Sequence, residues 1–197
     1  MTWIDPPDEV AGGEVAAMYD ADRAALGYVA GYTRVFAHRP QVLALWDELT
    51  GAIKTAMGVR RYELATVAAA LRLRSSYCAL QHGRLLADDL GADVVRDLAT
   101  DPAAADVPEV DRAVMRLAGK VAAGAADMTP DDLTELRELG LTDAEVLDVV
   151  LAAAARCFFS SVLDAVGAEP DAALAALDPR LRDALTVGRP IAAPGGA

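Results

Sequence analysis

The stretch RRYELATVAAALRLRSSYCALQHGRLLADDLG, from Arg60 to Gly91, holds most of the polar chemistry of this chain. Its first part, about Arg60 to Leu73, is apolar on nearly every face, as expected of a helix that crosses a protein core. Its second part begins at Ser75 or Ser76, either of which can cap a helix, and ends before the glycine. We therefore predict a hairpin of two helices over residues 60–91.

The hairpin places one cysteine in a reactive setting. Cys78 falls in the first turn of the second helix, where free N–H groups and the positive end of the helix dipole favour the thiolate over the thiol. His82 lies four residues later, on the same face and within reach of the sulfur. Glu63 lies on the preceding helix, and an antiparallel return would bring its carboxylate to the far side of the imidazole. Cys78, His82 and Glu63 would then act as nucleophile, base and orienting group.

The spacing of Glu63, the SSYC segment that ends at Cys78, and His82 resembles the motif of the alkylhydroperoxidase AhpD and carboxymuconolactone decarboxylase family. Two further segments, residues 27–49 and 158–171, are similar to the peroxidase-related branch of that family, so the resemblance covers most of the chain. It implies an all-α, AhpD-like helical bundle that assembles into homo-oligomers. It also implies a thiol-dependent peroxidase, or disulfide-type antioxidant oxidoreductase, with Cys78 as the reactive thiol and His82 and Glu63 as its proton relay.

The chain departs from the family motif at one position. Redox-active members carry Cys-x-x-Cys followed by His, and the first of these cysteines would fall at Ser75. With serine there, the intramolecular disulfide of their catalytic cycle cannot form. Tyr77 lies between the two motif positions. The implied substrate is a hydroperoxide, and oxidised Cys78 would be regenerated by an external thiol reductant or by a partner subunit.

Two other functions stay open at this stage. One is a non-redox enzyme of the same fold, such as a lactone decarboxylase, that uses His82 and Glu63 and in which Cys78 is incidental. The other is a helical binding or oligomerising protein whose motif is vestigial. A lone cysteine in an alanine-rich helix is more often a small buried hydrophobe than a nucleophile, and we interpret Cys157 in that way. Arg156, in an otherwise apolar run, must reach solvent or find a carboxylate, and less directly it could meet a substrate anion.

Composition narrows the class of protein. A length of 197 residues suits a single domain over residues 1–197. Hydrophobic residues make up 54% and aromatic residues only 5%, and such an alanine-rich core favours closely packed helices. A net charge of −12 disfavours nucleic acid and anionic membranes as partners. The longest apolar runs, 64–71 and 149–155, are shorter than the roughly 20 residues of a membrane span, so we expect a soluble, cytoplasmic protein.

The counts of cysteine and histidine argue against a disulfide framework and a metal site. Two cysteines do not make a disulfide framework, and two histidines make a metal site involving Glu63, Cys78 and His82 improbable. No cofactor is predicted. The start of the chain, MTWIDPPDEV, is acidic and does not resemble a signal peptide.

Periodicity and caps predict the remaining elements. Residues 1–13 are expected to form an extended arm closed by Gly12 and Gly13, and residues 188–197 a frayed tail. Residues 85–98 and 136–150 share a leucine-rich helix, a glycine stop and an acid-started helix, which suggests two related helical halves. Helices are predicted over 14–26, 40–57, 92–99, 109–123, from Pro130 onward, 143–166, 171–177 and 181–185.

Overall fold

A computed structural model of the protein describes residues 2–10 and 13–194. Within these residues the chain forms ten α-helices, two 3₁₀ turns and no strand, which confirms the predicted all-α class. The helices are α1 (Glu14–Leu26), α2 (Gly31–Phe36), α3 (Pro40–Met57), α4 (Val59–Arg72), α5 (Ser76–Leu90), α6 (Ala92–Thr100), α7 (Glu109–Gly124), α8 (Pro130–Glu138), α9 (Asp143–Ala165) and α10 (Pro179–Leu185).

Helix α4 is the centre of the bundle. It packs against α5, α7 and α9, and every residue from Tyr62 to Ala70 is buried. The alanines of this run are small, so the neighbouring helices can approach closely and fill the space around Leu64 and Val67, which are fully buried. Helix α3 packs on α9, and α10 covers α5 and α6.

The turn between α4 and α5 aims the start of α5 into this core. Arg74 adopts a left-handed conformation with φ 58°, and the N–H of Ser75 donates to the carbonyl of Ala70 at 2.9 Å. Ser75 occupies the N-cap position, but its hydroxyl makes no capping bond to the helix. The hydroxyl of Ser76 instead accepts from the N–H of Gly188 at 2.7 Å. The predicted start of α5 is confirmed, whereas the predicted side-chain cap is wrong because both hydroxyls face other parts of the fold.

Helix α9 starts at the predicted position with a capping box, in which Thr142 and Glu145 bond each other's backbone N–H groups. Its length of 23 residues and mean hydropathy of 1.9 make it the one described helix long and apolar enough to cross a membrane by those criteria alone. It packs against α3, α4 and α7 within the bundle. The helix also brings Arg156 into the interior.

Residues near both ends of the described chain contact the bundle. The N–H of Trp3 donates to the carbonyl of Val166 at 2.8 Å, and the Arg189 guanidinium lies over the Trp3 ring. The N–H of Ala192 donates to the carbonyl of Pro170 at 2.9 Å. The described part of the tail is therefore attached, unlike the frayed tail that we predicted, because its N–H groups bond the loop after α9 and the Ser76 hydroxyl at the start of α5. Gly12 and residues 195–197 lie outside the described residues. The predicted helix at 171–177 is a 3₁₀ turn, Ala172–Ala176.

Candidate functional site

The antiparallel pairing of α4 and α5 brings Glu63 and His82 together. Glu63, one turn into α4, is 1% exposed, and its Oε2 accepts a hydrogen bond from Nδ1 of His82 at 2.6 Å. Lys54 of α3 approaches from the other side, with its Nζ 3.2 Å from Oε1. The carboxylate is thus held between an imidazole and an ammonium group, and the sequence indicated only the first of these partners.

The environment fixes the protonation state of this pair. Burial, together with the nearby charge of Arg156, lowers the pKa of His82 to about 4. Burial alone would raise the pKa of Glu63, but the hydrogen bond and charge of His82 and the charge of Lys54 outweigh it, and the pKa ends below its ordinary value. At neutral pH the carboxylate is therefore ionised and the imidazole neutral. Because Nδ1 donates its proton to Glu63, Nε2 carries the lone pair and can accept a proton.

The lowered pKa of His82 predicts how stability depends on pH. The unfolded chain takes up a proton at this residue near the ordinary pKa of 6.5, whereas the folded protein does so only near 4. Stability is therefore complete above pH 6.5 and is lost as the pH falls through this window, by about 2 kcal/mol between pH 7 and 5. Urea unfolding at the two pH values measures this loss.

The matched variants are His82→Gln and His38→Gln. His38 is exposed and lies away from the Glu63 pair, so its removal should leave the loss of stability in place. His82→Gln should reduce the loss by most of its size, since glutamine does not titrate. An equal loss in the two variants would contradict the assignment of a buried, neutral imidazole.

Cys78 lies in the first turn of α5, as predicted, and is 2% exposed. Its Sγ accepts a hydrogen bond from Nη1 of Arg156 at 3.5 Å. Among the hydrogen bonds of residues 2–10 and 13–194, none joins Cys78 to His82. His82 therefore lies on the same helix as Cys78, as predicted, but does not bond its sulfur. A small molecule would have to bridge the imidazole and the sulfur for a proton to pass between them.

Arg156 is the site residue whose role the sequence did not reveal. It is 3% exposed and forms no ion pair with any described carboxylate. Its guanidinium lies against Trp46 and Phe159, 5.5 and 5.4 Å from the ring centroids. We had expected a carboxylate or solvent, and the structure places a sulfur there. The isolated arginine in an apolar run was the one signal in the sequence that Arg156 has a special role. That signal did not identify the partner, because Cys78 lies on α5, far from Arg156 in the sequence.

Cys78, His82 and Arg156 share one cavity of about 200 Å³. The cavity lies between α3, α5 and α9, and we assign its mouth to Asp47 because that is the one lining residue that is exposed. Five of its fourteen lining residues are Phe, Tyr or Trp, and these are Tyr32, Trp46, Tyr62, Tyr77 and Phe159. A small molecule in the cavity can therefore contact the sulfur, the imidazole and the guanidinium at once.

Tyr77 and Ser75 have different positions relative to this cavity. Tyr77 lines it, and its hydroxyl donates to Oδ2 of Asp171 at 2.7 Å while accepting from the N–H of Tyr32 at 3.1 Å. Burial, followed by the charge of Asp171, raises the pKa of Tyr77 well above its ordinary value. The carboxylate of Asp171 also accepts from the N–H of Gly31 at 2.8 Å. Sequence reasoning missed Asp171, which follows a proline with no accompanying motif.

Ser75 is fully buried and does not line the cavity. Its hydroxyl lies next to the carboxyl of Asp164. Burial raises the pKa of Asp164, and the Ser75 hydroxyl offsets part of that rise. Cys157 is a free thiol, half-buried, and also lies outside the cavity lining. The described residues contain no group of three or more His, Cys, Asp or Glu side chains placed to hold a metal ion.

Comparison with protein-family models found no match, and comparison with curated proteins found none either. Solved structures do match. An uncharacterized peroxidase-related protein from Ralstonia eutropha JMP134, described as an alkylhydroperoxidase AhpD core, has a TM-score of 0.76 and 20% identity over 95% of this chain and 98% of that chain. An uncharacterized peroxidase-related protein from Silicibacter sp. TM1040 has a TM-score of 0.76 and 19% identity over 89% and 94%.

A third similar structure is the debrominase Bmp8, in a cysteine-to-alanine variant bound to 2,3,4-tribromopyrrole. It has a TM-score of 0.70 and 12% identity over 92% of this chain and 95% of that chain. At such identities the likeness establishes the fold. The predicted resemblance is thus confirmed at the level of architecture: this chain has the AhpD-like fold of peroxidase-related proteins.

Proposed function

We propose that this protein is a thiol-dependent peroxidase of the AhpD-like type in which Cys78 is the reactive thiol. The observation that carries the proposal is the contact of 3.5 Å between Sγ of Cys78 and Nη1 of the buried Arg156. A buried guanidinium without a carboxylate partner is costly unless an anion lies beside it. The Cys78 sulfur is the one hydrogen-bond partner of this guanidinium among the described residues, so the pair places a cation directly beside the atom that we propose as the nucleophile.

The chemical step can be written with these groups. Sγ of Cys78 attacks the terminal oxygen of a hydroperoxide ROOH, so that an S–O bond forms, the O–O bond breaks and alkoxide leaves. Nε2 of His82 relays the thiol proton through the bound molecule to the alkoxide, which yields ROH and a sulfenic acid at Cys78. Because the pKa of His82 is lowered to about 4, its protonated form gives up that proton readily. Arg156 stabilises the negative charge as it moves from sulfur to oxygen.

Regeneration needs an external thiol, since Ser75 cannot resolve the sulfenic acid. A first thiol RSH displaces water and forms a mixed disulfide with Cys78, and a second releases RSSR and restores the thiol. The cavity mouth at Asp47 is the route by which a small thiol would reach the sulfur. We propose a cytoplasmic location for this chemistry, because that compartment supplies reduced thiols.

The test is to mix the reduced protein with cumene hydroperoxide and follow thiol loss by stopped flow. We expect Cys78 to be converted to a sulfenic acid that dimedone traps and peptide mapping locates, with Cys157 unlabelled. Added small thiol should restore Cys78 and be consumed in a ratio of two per peroxide. Unoxidised Cys78 after mixing would overturn the proposal.

Glu63→Gln should slow peroxide reduction by about a hundredfold, at the low end of what acid–base groups contribute. The amide of glutamine can donate to Nδ1, so the imidazole would shift its proton to Nε2 and lose its accepting lone pair there. Glu135→Gln, which removes the same charge from an exposed ion pair with Arg116, is the control and should leave the rate unchanged. Equal rates in the two variants would remove Glu63 from the relay.

A non-redox enzyme is the second candidate, and one observation favours it. His82 bonds Glu63 but not Cys78, which is the arrangement of a base that acts on a carbon acid without the sulfur. The behaviour of Cys78→Ser, described in the Discussion, separates the two candidates.

We also propose that the protein is a homo-oligomer. Apolar side chains on neighbouring faces of α3 and α9 are exposed, and Phe158 of α9 contacts Trp46 of α3 with ring centroids 5.7 Å apart. These exposed side chains are Val42, Leu45, Leu49, Leu147, Leu151 and Phe158. An exposed apolar patch of this kind is typical of a protein–protein interface.

Light scattering at micromolar concentration should give a mass of at least two chains, and Leu151→Glu should shift it to one chain. A charge buried at the centre of an apolar interface weakens association by about a hundredfold. Leu139→Glu, at an exposed leucine after α8, is the control. A single-chain mass for the unmodified protein would contradict the proposal.

A further inference from the structure

Aromatic side chains are concentrated at this cavity. The chain has only three Phe, two Trp and five Tyr, yet five of these ten residues line the one cavity of about 200 Å³. Reduction of a small peroxide such as H₂O₂ needs no such wall. A protein cavity of about 150 Å³ holds benzene, so this cavity has the size and the surface for one substituted ring.

The charge of the cavity is the second observation. Lys54 is neutralised by Glu63 at 3.2 Å, Asp47 is exposed at the mouth, and His82 is neutral. Of the cations that line the cavity, Arg156 alone lacks a carboxylate partner among the described residues. Its five N–H donors have one acceptor, the Cys78 sulfur, and its Nε is buried without a partner. The protein as a whole carries a charge of −12, so a buried, uncompensated cation is an exception that fits an anionic ligand.

We propose that the cavity binds a small planar ring that carries an acidic hydroxyl or carboxyl group, with the ring against the aromatic wall and the anionic oxygen on Arg156. Its competition with Cys78 rests on the function proposed above, whereas the binding itself goes beyond that function and can be measured without turnover. The ring contacts Trp46 and Phe159, which already hold the guanidinium in place, so the same two side chains position both the cation and the ligand.

A consequence distinguishes this site from a general apolar pocket. In the function proposed above Cys78 reacts as a thiolate, and Arg156 offsets one negative charge, so that thiolate and the ligand anion would compete for it. Replacing Cys78 with serine removes one competitor, and the ligand should bind more tightly. In the unmodified protein the ligand should slow the alkylation of Cys78, both by occupying the cavity and by favouring the thiol.

The experiment is isothermal titration calorimetry of the reduced protein with three probes. They are 4-nitrophenol, its neutral methyl ether 4-nitroanisole, and hexanoate, an anion without a ring. We expect 4-nitrophenol to bind at least about tenfold more tightly than either of the others, since a hydrogen bond to a charged group is worth about 1.5–3 kcal/mol. The visible band of the phenolate, present in the bound probe below the pH at which the free probe ionises, shows that the anion is the bound form.

The variant Cys78→Ser should bind 4-nitrophenol about tenfold more tightly than the unmodified protein, and Arg156→Met should lose the preference over 4-nitroanisole. Equal affinity for the phenol and its ether, or tighter binding of hexanoate, would overturn the proposal without the use of any variant. If the ring anion binds equally well to the unmodified protein and to Cys78→Ser, Cys78 is not a thiolate; that result would contradict the competition and the proposed peroxidase, while leaving the ring anion site itself supported.

Discussion

Replacing Cys78 with serine should abolish the reduction of cumene hydroperoxide, with a fall in rate of more than about a thousandfold, to the level of the uncatalysed reaction. The sulfur is the atom that forms the new bond in the proposed step, and an alcohol at that position is neither ionised at neutral pH nor readily oxidised. The substitution is nearly isosteric and lies in a helical turn that is already formed, so the fold should persist. Peroxide consumption in the presence of a small thiol measures the effect.

Cys157→Ser is the matched control. Cys157 is half-buried, lies outside the cavity lining, and has a pKa that burial raises, so its removal should leave the rate within about twofold. If Cys78→Ser kept most of an activity measured on a lactone while peroxide reduction was absent in the unmodified protein, the non-redox candidate would replace the peroxidase.

Arg156→Met should slow peroxide reduction by about a thousandfold, because two unit charges about 4 Å apart attract by about 4 kcal/mol at an effective dielectric constant of 20, and each 1.4 kcal/mol corresponds to about a tenfold change in rate. Methionine keeps much of the apolar contact with Trp46 and Phe159 but carries no charge. The loss has two parts. The thiolate becomes scarcer, and the alkoxide that leaves in the peroxide reaction loses its cation.

Alkylation by iodoacetamide separates these parts. Iodide leaves without needing stabilisation by the protein, and a sulfur that ionises less readily is also intrinsically more nucleophilic, so alkylation should fall by only about thirtyfold. Arg156→Lys, which keeps a charge on a shorter head group, should lie between the two. Equal losses for peroxide and iodoacetamide would show that Arg156 acts on the sulfur alone, and unchanged rates in Arg156→Met would refute its role altogether. Circular dichroism establishes that the variant is folded.

Much of the fold could be predicted from local signals. The range 40–57 of α3 follows from Pro40 and a stripe of apolar residues, and α9 starts where Thr142 and Glu145 form their capping box. These signals lie within a few residues of the feature that they specify. The prediction of a Ser75 cap was wrong because a residue distant in the sequence decides where the Ser75 hydroxyl lies. Ser75 satisfies the local pattern, but its hydroxyl lies by Asp164, a residue far along the chain.

The candidate site also has a part that local sequence specifies and a part that only tertiary packing specifies. The sequence by itself determined the helical hairpin and, through residue spacing, the meeting of Glu63 with His82, because two consecutive antiparallel helices joined by a short turn have few ways to pack. Only the tertiary structure decided that Arg156 from α9 contacts Cys78, that Lys54 from α3 contacts Glu63, and that half of the aromatic rings enclose one cavity. The Arg156–Cys78 contact joins residues 78 positions apart in the sequence, and the geometry of all three features depends on how α3, α5 and α9 pack around α4, which no local pattern of residues encodes.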